Sequence, residues 1–342
     1  MDDKLPLAFS SADALSRGFT KSALRHRVGQ GQWVRVSRDV YAVTTEWFAA
    51  APAERLAAAS LARARAHHAD KVISHLSAAS IHGYDLPLTP GTATWLTVDQ
   101  GGNRPRRAPD VIVERATLAP EDVVEVGHPV IALTSPARTV ADCLRHLRLA
   151  DAVALGDSAL RSKPTLATSV REVLDRQRGW PGAGAARTAY RLLDGRRDTW
   201  LESWSFARLW QLGVSLPEPQ VTVLDEWGRF VARVDGMWRA WGVIGEADGK
   251  LKYGIGRAGA ELATRSGLDE AFSASAVFAE KRREDRLRDL GLEVVRWTLD
   301  DLLRTPEEVV RRIEAARRRG DPLRFRGRLR PSPETTLRKL VS

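Results

Sequence analysis

The chain has 342 residues, of which 43% are hydrophobic and 28% are charged. This composition is typical of a folded protein with two or three domains and excludes a disordered chain. No apolar run of about 18 residues is present, and the acidic start MDDKLPLAFS is unlike a secretory signal. The single cysteine, Cys143, excludes a disulfide framework and a cysteine-based zinc site. We therefore expect a cytoplasmic protein with no membrane partner.

The net charge of +10 points to an anionic partner, and only 8 of the 53 basic residues are lysine. The planar guanidinium of arginine suits phosphates and base edges, although a GC-rich genome also encodes arginine often. The distribution favours nucleic acid, because the basic residues gather in 17–38, which has no acidic residue, and in 311–330, where the local balance is +7. A solvated helix face remains the alternative for 311–319, and the later arginines of this stretch indicate a basic arm.

The first predicted elements are two short helices. Ser10 or Ser11 can cap a helix that runs to Leu15, and Gly18 can end it because glycine tolerates a positive φ. Thr20 then caps a second helix, KSALRHRV, with apolar side chains at helical spacing and basic ones on its other side. This is the arrangement in which the second helix enters the major groove of DNA.

Two β-like runs, QWVRV and VYAV, follow and flank a turn at Ser37, Arg38 and Asp39. Two helices and a hairpin predict a winged helix-turn-helix, and a structural helical pair with a solvated basic face is the alternative. The second helix would meet base edges, and the hairpin would hold phosphate or the minor groove. The DNA-binding residues predicted from this placement are Lys21, Ser22, Arg25, Arg27, Arg35 and Arg38.

Three segments of the first 150 residues resemble the AbiEi family, the antitoxins of type IV toxin–antitoxin systems. They are GFTKSALRHRVGQGQWVRVSRDVYAV, ISHLSAASIHGYDLP and LTSPARTVADCL. The family usually has glycine where this chain has Asp39, and we expect the turn to survive because aspartate tolerates the left-handed conformation. The resemblance implies a promoter-binding transcriptional regulator, with a nucleotidyltransferase-type toxin as a further partner of the middle region.

The middle region, 49–174, has the pattern of a mixed α+β scaffold. An alanine-rich helix is predicted from Pro52, and WLTV and VIVERA read as strands on either side of the basic loop NRPRR. His75 and His82 lie two helical turns apart, but histidines so spaced more often pack and hydrogen-bond than bind metal. We expect no metal site here, because no His/Asp/Glu cluster has a convincing ligand spacing.

A glycine- and arginine-rich stretch, 175–197, is predicted to be a linker, and a different pattern begins after it. WLESWSFARLWQLG reads as a helix, QVTVL, RFVARVD and WGVIGEAD as three strands, VFAEKRREDRLRDLG as a charged helix and LEVVRWT as a further strand. This order predicts an α/β domain over 198–305, followed by a basic tail, 306–342. The winged helix-turn-helix occupies 1–48.

Three carboxylates in the second hairpin of this domain are candidate cation ligands. A two-residue loop would place Glu246 opposite Arg233, whereas a four-residue loop would place it directly opposite Asp235. In either register Asp235, Glu246 and Asp248 share one face, because side chains alternate along a strand. Carboxylates this close repel, and hard oxygen ligands suit Mg²⁺ or Mn²⁺. Such a cation can polarise a phosphoryl oxygen and activate water.

The C-terminal domain resembles the PD-(D/E)xK nuclease superfamily, in particular the very-short-patch repair endonucleases. By this resemblance Asp235 and Glu246 bind the metal, and Glu202 is an acidic residue from the preceding helix. The lysine expected two residues after Glu246 is replaced by Asp248, so Lys250 is the predicted catalytic ammonium, with Lys252 and Lys281 as alternatives. The fold expected is thus a restriction-endonuclease-like α/β domain.

Three functions follow from these patterns. The first is a sequence-specific DNA-binding regulator in which the C-terminal domain adds nonspecific grip. The second is a metal-dependent endodeoxyribonuclease that the winged helix brings to double-stranded DNA. The third is an antitoxin that acts through protein contact with a toxin. The sequence favours DNA binding and leaves cleavage open, because a nuclease fold does not by itself imply activity.

Overall fold

The computed structural model describes residues 5–67, 71–99, 109–127, 130–249 and 281–333. The described chain has a mixed α/β fold with three sheets. It divides into two compact units, the first formed by Met1–Leu147 with Thr165–Tyr190 and the second by Arg148–Pro164 with Arg191–Ser342. No helix among the described residues is sufficiently long and apolar to cross a membrane.

The first eight helices lie mostly where apolar side chains recur at helical spacing. All of them belong to the first unit except α7, which belongs to the second. They are α1 (Ser11–Ser16), α2 (Lys21–Gly29), α3 (Thr44–Ala49), α4 (Pro52–His67), α5 (His75–Ile81), α6 (Pro136–His146), α7 (Leu149–Ser162) and α8 (Leu166–Arg176). The strands of the first unit are β1 (Phe9–Ser10), β2 (Trp33–Ser37), β3 (Val40–Val43), β4 (Val72–Ile73), β5 (Thr94–Val98), β6 (Val111–Arg115), β7 (Val123–Val126) and β8 (Ile131–Thr134).

A small helical and β-sheet module opens the first unit. Ser10 caps α1 and forms a capping box with Asp13, and Thr20 caps α2 by accepting from the Ala23 amide. Strand β3 pairs with both β1 and β2 in an antiparallel sheet. Phe9, Ala14, Leu24 and Trp33 are buried in its core. The two helices and the hairpin therefore lie where the sequence predicts them.

The turn between β2 and β3 depends on Asp39, whose φ is +56°. A β-branched residue in this left-handed conformation costs about 1–2 kcal/mol. We expect Asp39→Val to lower the free energy of unfolding by about that amount, whereas Asp39→Gly stays close to wild type. Urea denaturation of the two variants measures the difference, and an equal loss in both would contradict a conformational cause.

The second sheet of this unit has the strand order β6-β5-β4-β8-β7. Helices α4, α5 and α6 pack against its strands, and the core contains the buried residues Ala64, Ile73, Ala78, Leu96, Ile131 and Leu133. Strands β5 and β6 match the predicted WLTV and VIVERA, and the NRPRR loop between them lies outside the described residues. Arg138 and Asp142 of α6 form a buried ion pair at 2.8 Å, which agrees with the expected scaffold.

The second unit is built on a five-stranded sheet with the order β12-β11-β10-β9-β13. Its strands are β9 (Glu218–Asp225), β10 (Phe230–Trp238), β11 (Val243–Ala247), β12 (Glu293–Trp297) and β13 (Gly327–Arg330). Helix α9 (Ala183–Leu192) lies mostly in the first unit. Besides α7, the helices of the second unit are α10 (Trp200–Gln211), α11 at 281–289, α12 (Leu299–Arg304) and α13 (Pro306–Arg319). Helix α10 packs against α7, and Leu287 of α11 joins the valine-rich core of the sheet.

Two predicted segments differ from the structure. The interpretation of 175–197 as a linker is wrong for 183–192, which form α9 with Ala183, Ala186 and Ala189 buried. In the predicted basic tail, α13 is followed by β13, which pairs with β9. Both predictions were made from the glycine and arginine content of the segments. Composition alone does not show whether a segment packs as a helix or adds a strand to the edge of a sheet. The division into two discontinuous units likewise differs from the predicted boundaries.

Candidate functional site

Helix α2 presents polar and basic side chains on one face. Lys21, Ser22 and Arg25 are exposed, whereas Leu24 is buried in the module's core. The exposed residues lie in the first turns of the helix, where its amide groups also carry partial positive charge. No acidic residue occurs from 17 to 38, so this face has a cationic character that its neighbours in sequence do not cancel.

The other three predicted DNA contacts have different surroundings. Arg27 lies over the rings of Phe19 and Trp33, 5.3 Å from each centroid, so its stem belongs to the packing of the module. Arg35 is exposed on β2 and donates from Nε to the Ser37 carbonyl at 3.3 Å. Arg38 is also exposed, with the Asp39 carboxylate 3.7 Å away. Arg35 and Arg38 thus extend the cationic surface to the hairpin.

The carboxylates of the second unit are brought together by the register of β10 and β11. Gly236 pairs with Gly245 and Trp238 with Val243, which defines a four-residue loop. Continuing this register by one residue places Asp235 directly opposite Glu246. The Ala247 amide donates to Asp235 Oδ2 at 2.9 Å. The structure therefore selects the second of the two registers that the sequence left open.

Glycines behind the carboxylates allow the strands to pack against aromatic rings. A Cβ at Gly236 would lie 2.8 Å from the Phe206 ring, and one at Gly245 would lie 2.6 Å from the Trp297 ring. Both distances are too short for a real contact, so neither position accepts a side chain without a shift. This aromatic packing fixes the two strands on which Asp235 and Glu246 lie.

Glu202 lies in the first turn of α10 and is held by three donors. Its carboxylate accepts from the Asp198 amide at 2.9 Å, from Thr199 Oγ1 at 2.9 Å and from Gln220 Nε2 at 2.7 Å. Thr199 in turn caps the helix by accepting from the Glu202 amide. Glu202 is 4% exposed, so its buried carboxyl oxygens are satisfied inside the unit by hydrogen bonds.

Gln220 is a residue that sequence reasoning missed. It is buried on β9, opposite Asp235 in the register, and its φ is +57°. A non-glycine residue with this conformation is uncommon and is maintained only where the surroundings require it. The bond from Gln220 to Glu202 supplies such a constraint. A glutamine in a β-like run carries no sequence signal for a left-handed backbone.

Burial and like charge act together on Asp235. Burial, followed by the negative charges of Glu246 and Glu202, raises the pKa of Asp235 to about 7 from its ordinary 3.8. The Ala247 amide and Arg283 oppose this shift without cancelling it. Near neutral pH the carboxyl is therefore poised between its two protonation states, and a bound cation would favour the ionised one.

Arg283 of α11 is the second residue that the sequence did not identify. Its Nη2 donates to Glu246 Oε2 at 2.9 Å, and Lys281 on the same helix is exposed. Asp248 follows β11 and is partly buried, and its amide donates to the Trp297 carbonyl at 2.8 Å. Lys250 and Lys252 lie outside the described residues. The charged helix was predicted, but the contact of its Arg283 with Glu246 was not, because that contact depends on how the helix packs.

The raised pKa of Asp235 makes stability depend on pH. The folded state binds this proton more tightly than the unfolded state, so the favourable contribution is complete below about pH 4 and is lost as pH rises through about 7. We expect Asp235→Asn to gain stability relative to wild type between pH 5 and pH 8 in the presence of chelator. Denaturation at both values, with the exposed Asp300→Asn as control, measures the gain. An unchanged difference would contradict the assignment.

Comparison with known proteins gives a distant relationship. No family model matches this chain. Two uncharacterized proteins of Mycobacterium tuberculosis, from strains CDC 1551 and H37Rv, are each similar to it, with 28% identity over 180 residues. The match covers 53% of this chain and 59% of each relative, so the chain spans about three fifths of the relatives' length. Their names describe no activity.

Proposed function

We propose that this protein binds double-stranded DNA through α2 and the β2–β3 hairpin, as a winged helix-turn-helix does. The observation that carries the proposal is the exposed face of Lys21, Ser22 and Arg25 on α2, within a stretch that has no acidic residue. Arg35 and Arg38 extend that cationic surface to the hairpin. A helix of this kind supplies base contacts, and a basic hairpin supplies phosphate contacts.

The surroundings of each cation suggest a division of labour. Lys21 and Arg25 lie one helical turn apart, so both can enter one groove. Arg35 and Arg38 would hold the backbone and fix the orientation of the module. Arg27, which stacks on Phe19 and Trp33, would mainly hold α2 against the hairpin. Titration of a labelled duplex with the protein, at several salt concentrations, tests the proposal.

A second candidate function is cation-dependent cleavage of DNA by the second unit, which would be a restriction-endonuclease-like domain. It is favoured by the pairing of Asp235 and Glu246 on adjacent strands, with the pKa of Asp235 raised to about 7. This donor set of carboxylate oxygens fits Mg²⁺ or Mn²⁺. Such a cation, when bound, would stabilise charge on the phosphoryl group and lower the pKa of water.

The other residues of the site have distinct roles in this second function. Asp235 and Glu246 would hold the cation, and Asp248 could add an oxygen from the end of β11. Glu202 would maintain negative charge behind them through its bonds from Thr199 and Gln220. Arg283 would supply the positive charge for a phosphate oxygen that a lysine supplies in the nuclease family. Incubation of plasmid with Mg²⁺ or Mn²⁺ tests this activity separately from binding.

A further inference from the structure

A second cluster of ligand-type side chains lies in the first unit, away from the DNA-contacting residues proposed above. His75 begins α5, Glu114 lies on β6 and His146 ends α6. Each contributes one nitrogen or carboxylate oxygen, and these three atoms lie within 4.8 Å of one another. The three residues come from separate elements more than 30 positions apart in the chain. Their meeting is therefore a product of the fold and was not visible as a sequence motif.

His75 is held in this position by its surroundings. It is 2% exposed, and its φ is +50°, a strained value for a residue with a side chain. Its ring stacks on Trp95 at 4.7 Å between centroids, and its Nδ1 lies 3.0 Å from Ser74 Oγ. When Nδ1 donates to that hydroxyl, the lone pair is on Nε2, which is then the nitrogen that can bind a metal ion.

The Nε2 atom of His75 lies 2.8 Å from Glu114 Oε2. Despite this distance, Nε2 forms no hydrogen bond of acceptable geometry with any described residue. A bare imidazole nitrogen and a carboxylate oxygen repel at this separation, and either a proton on Nε2 or a metal ion between the two atoms removes that repulsion. The relative orientation of the His75 ring and the Glu114 carboxylate does not give an aligned N–H···O hydrogen bond. A metal ion bound by both atoms does not require that alignment.

We propose that His75, Glu114 and His146 form a binding site for a divalent first-row transition-metal ion, with Zn²⁺ as the expected occupant. Two imidazoles and one carboxylate are a recurrent zinc ligand set that leaves a fourth position for water. Metal–ligand distances of about 2.0–2.2 Å place neighbouring tetrahedral ligand atoms roughly 3.3 Å apart. The 2.8 Å spacing of His75 and Glu114 is near this value, and His146, whose ring packs edge-on against Trp95, has its ligand atom within 4.8 Å of both.

Neighbouring groups complete the proposed site. Arg145 Nη2 lies 3.4 Å from Glu114 Oε1, the oxygen that does not face His75. The same guanidinium donates to Asp142 Oδ1 at 3.0 Å, which offsets its charge. Arg145 thus orients the carboxylate from outside, as residues around metal sites commonly do. This proposal revises the sequence-based expectation that the middle region holds no metal, and it does not depend on the proposed DNA binding.

The test is metal binding by chelator-treated full-length protein. Asp235→Asn and Glu246→Gln are present throughout, which removes the two facing carboxylates of the second unit. Zn²⁺ affinity is measured by competition with a chromophoric chelator, and Co²⁺ serves as a spectroscopic probe of the ligand set. The informative variants are His146→Ala, at an exposed position, and Glu114→Gln. The matched control is His26→Ala, an exposed histidine of the same unit.

We expect one equivalent of Zn²⁺ and a tetrahedral Co²⁺ spectrum in the parent protein and in His26→Ala. His146→Ala and Glu114→Gln should each lower the affinity by at least about tenfold while circular dichroism shows a folded chain. Zn²⁺ should also raise the melting temperature of the parent and not of these variants. Absence of stoichiometric binding by the folded parent, or binding that both substitutions leave unchanged, would overturn the proposal.

Discussion

Glu246→Gln is expected to abolish Mg²⁺- or Mn²⁺-dependent cleavage of plasmid DNA. The substitution keeps the shape of the side chain and removes one of two negative charges that face each other on β10 and β11. A cation held by one carboxylate would lose several kcal/mol of its stabilisation of the transition state, which corresponds to a rate loss of about 10³-fold. The measurement is conversion of supercoiled plasmid over time with each cation.

The matched control is Glu226→Gln, an exposed glutamate in the turn before β10, which should cut like wild type. Duplex affinity of Glu246→Gln should stay unchanged, because the side chain lies outside the proposed DNA-contacting module. Cleavage that persists in Glu246→Gln would come from a contaminant or another site. If wild type binds duplex and does not cut, the second function fails and the first stands.

The double substitution Lys21→Ala with Arg25→Ala is expected to weaken specific duplex binding by about tenfold to 100-fold or more. Each contact to a base edge or phosphate contributes roughly 1–3 kcal/mol, and 1.4 kcal/mol is tenfold in affinity. Both side chains are exposed, so the fold should be unaffected. Fluorescence anisotropy with a labelled duplex gives the dissociation constants.

Arg187→Ala is the matched control for that experiment, since Arg187 is an exposed arginine on α9 of the same unit. It removes one positive charge, as each single substitution of α2 does, from a helix outside the proposed interface and should change affinity little. Equal losses in Arg187→Ala and in either single substitution of α2 would mean that only overall charge matters. The specific role of α2 would then be wrong, although nonspecific binding could remain.

Local chemistry explains why the start of the chain was predictable. Caps at Ser10 and Thr20, helical spacing on α2 and alternation on β2 and β3 depend on nearest neighbours, which a sequence displays directly. Asp39 illustrates the same point, because its left-handed φ of +56° follows from the demands of a tight turn. The elements of the second unit, from α10 to β12, were predictable for the same reason.

The candidate site was predictable only in part. Alternation along the strands placed Asp235 and Glu246 on one face, but the choice of register depended on the loop at Gly242, whose φ is +64°. Arg283 and Gln220 could not be identified, since one depends on how a helix packs on the sheet and the other on a strained backbone. Nonlocal packing of this kind leaves no periodic signal in the chain.

In the segment interpreted as a linker, amino-acid composition led to a wrong prediction of secondary structure. Glycine and arginine are common in loops, but residues 183–192 form a helix in which Ala183, Ala186 and Ala189 are buried. Three alanines at intervals of three residues were the available signal. The meeting of His75, Glu114 and His146 was equally hidden, because sequence distance does not show which elements become neighbours.

The salt dependence of duplex binding by wild-type protein tests the central claim most directly. We expect four side chains to displace counterions from the DNA: Lys21, Arg25, Arg35 and Arg38. A plot of the logarithm of the binding constant against the logarithm of the salt concentration should then have a slope of about −3 to −4. The double variant of α2 should have a slope smaller by about 2. Undetectable binding at low salt, or a slope near zero that the substitutions do not change, would contradict the account.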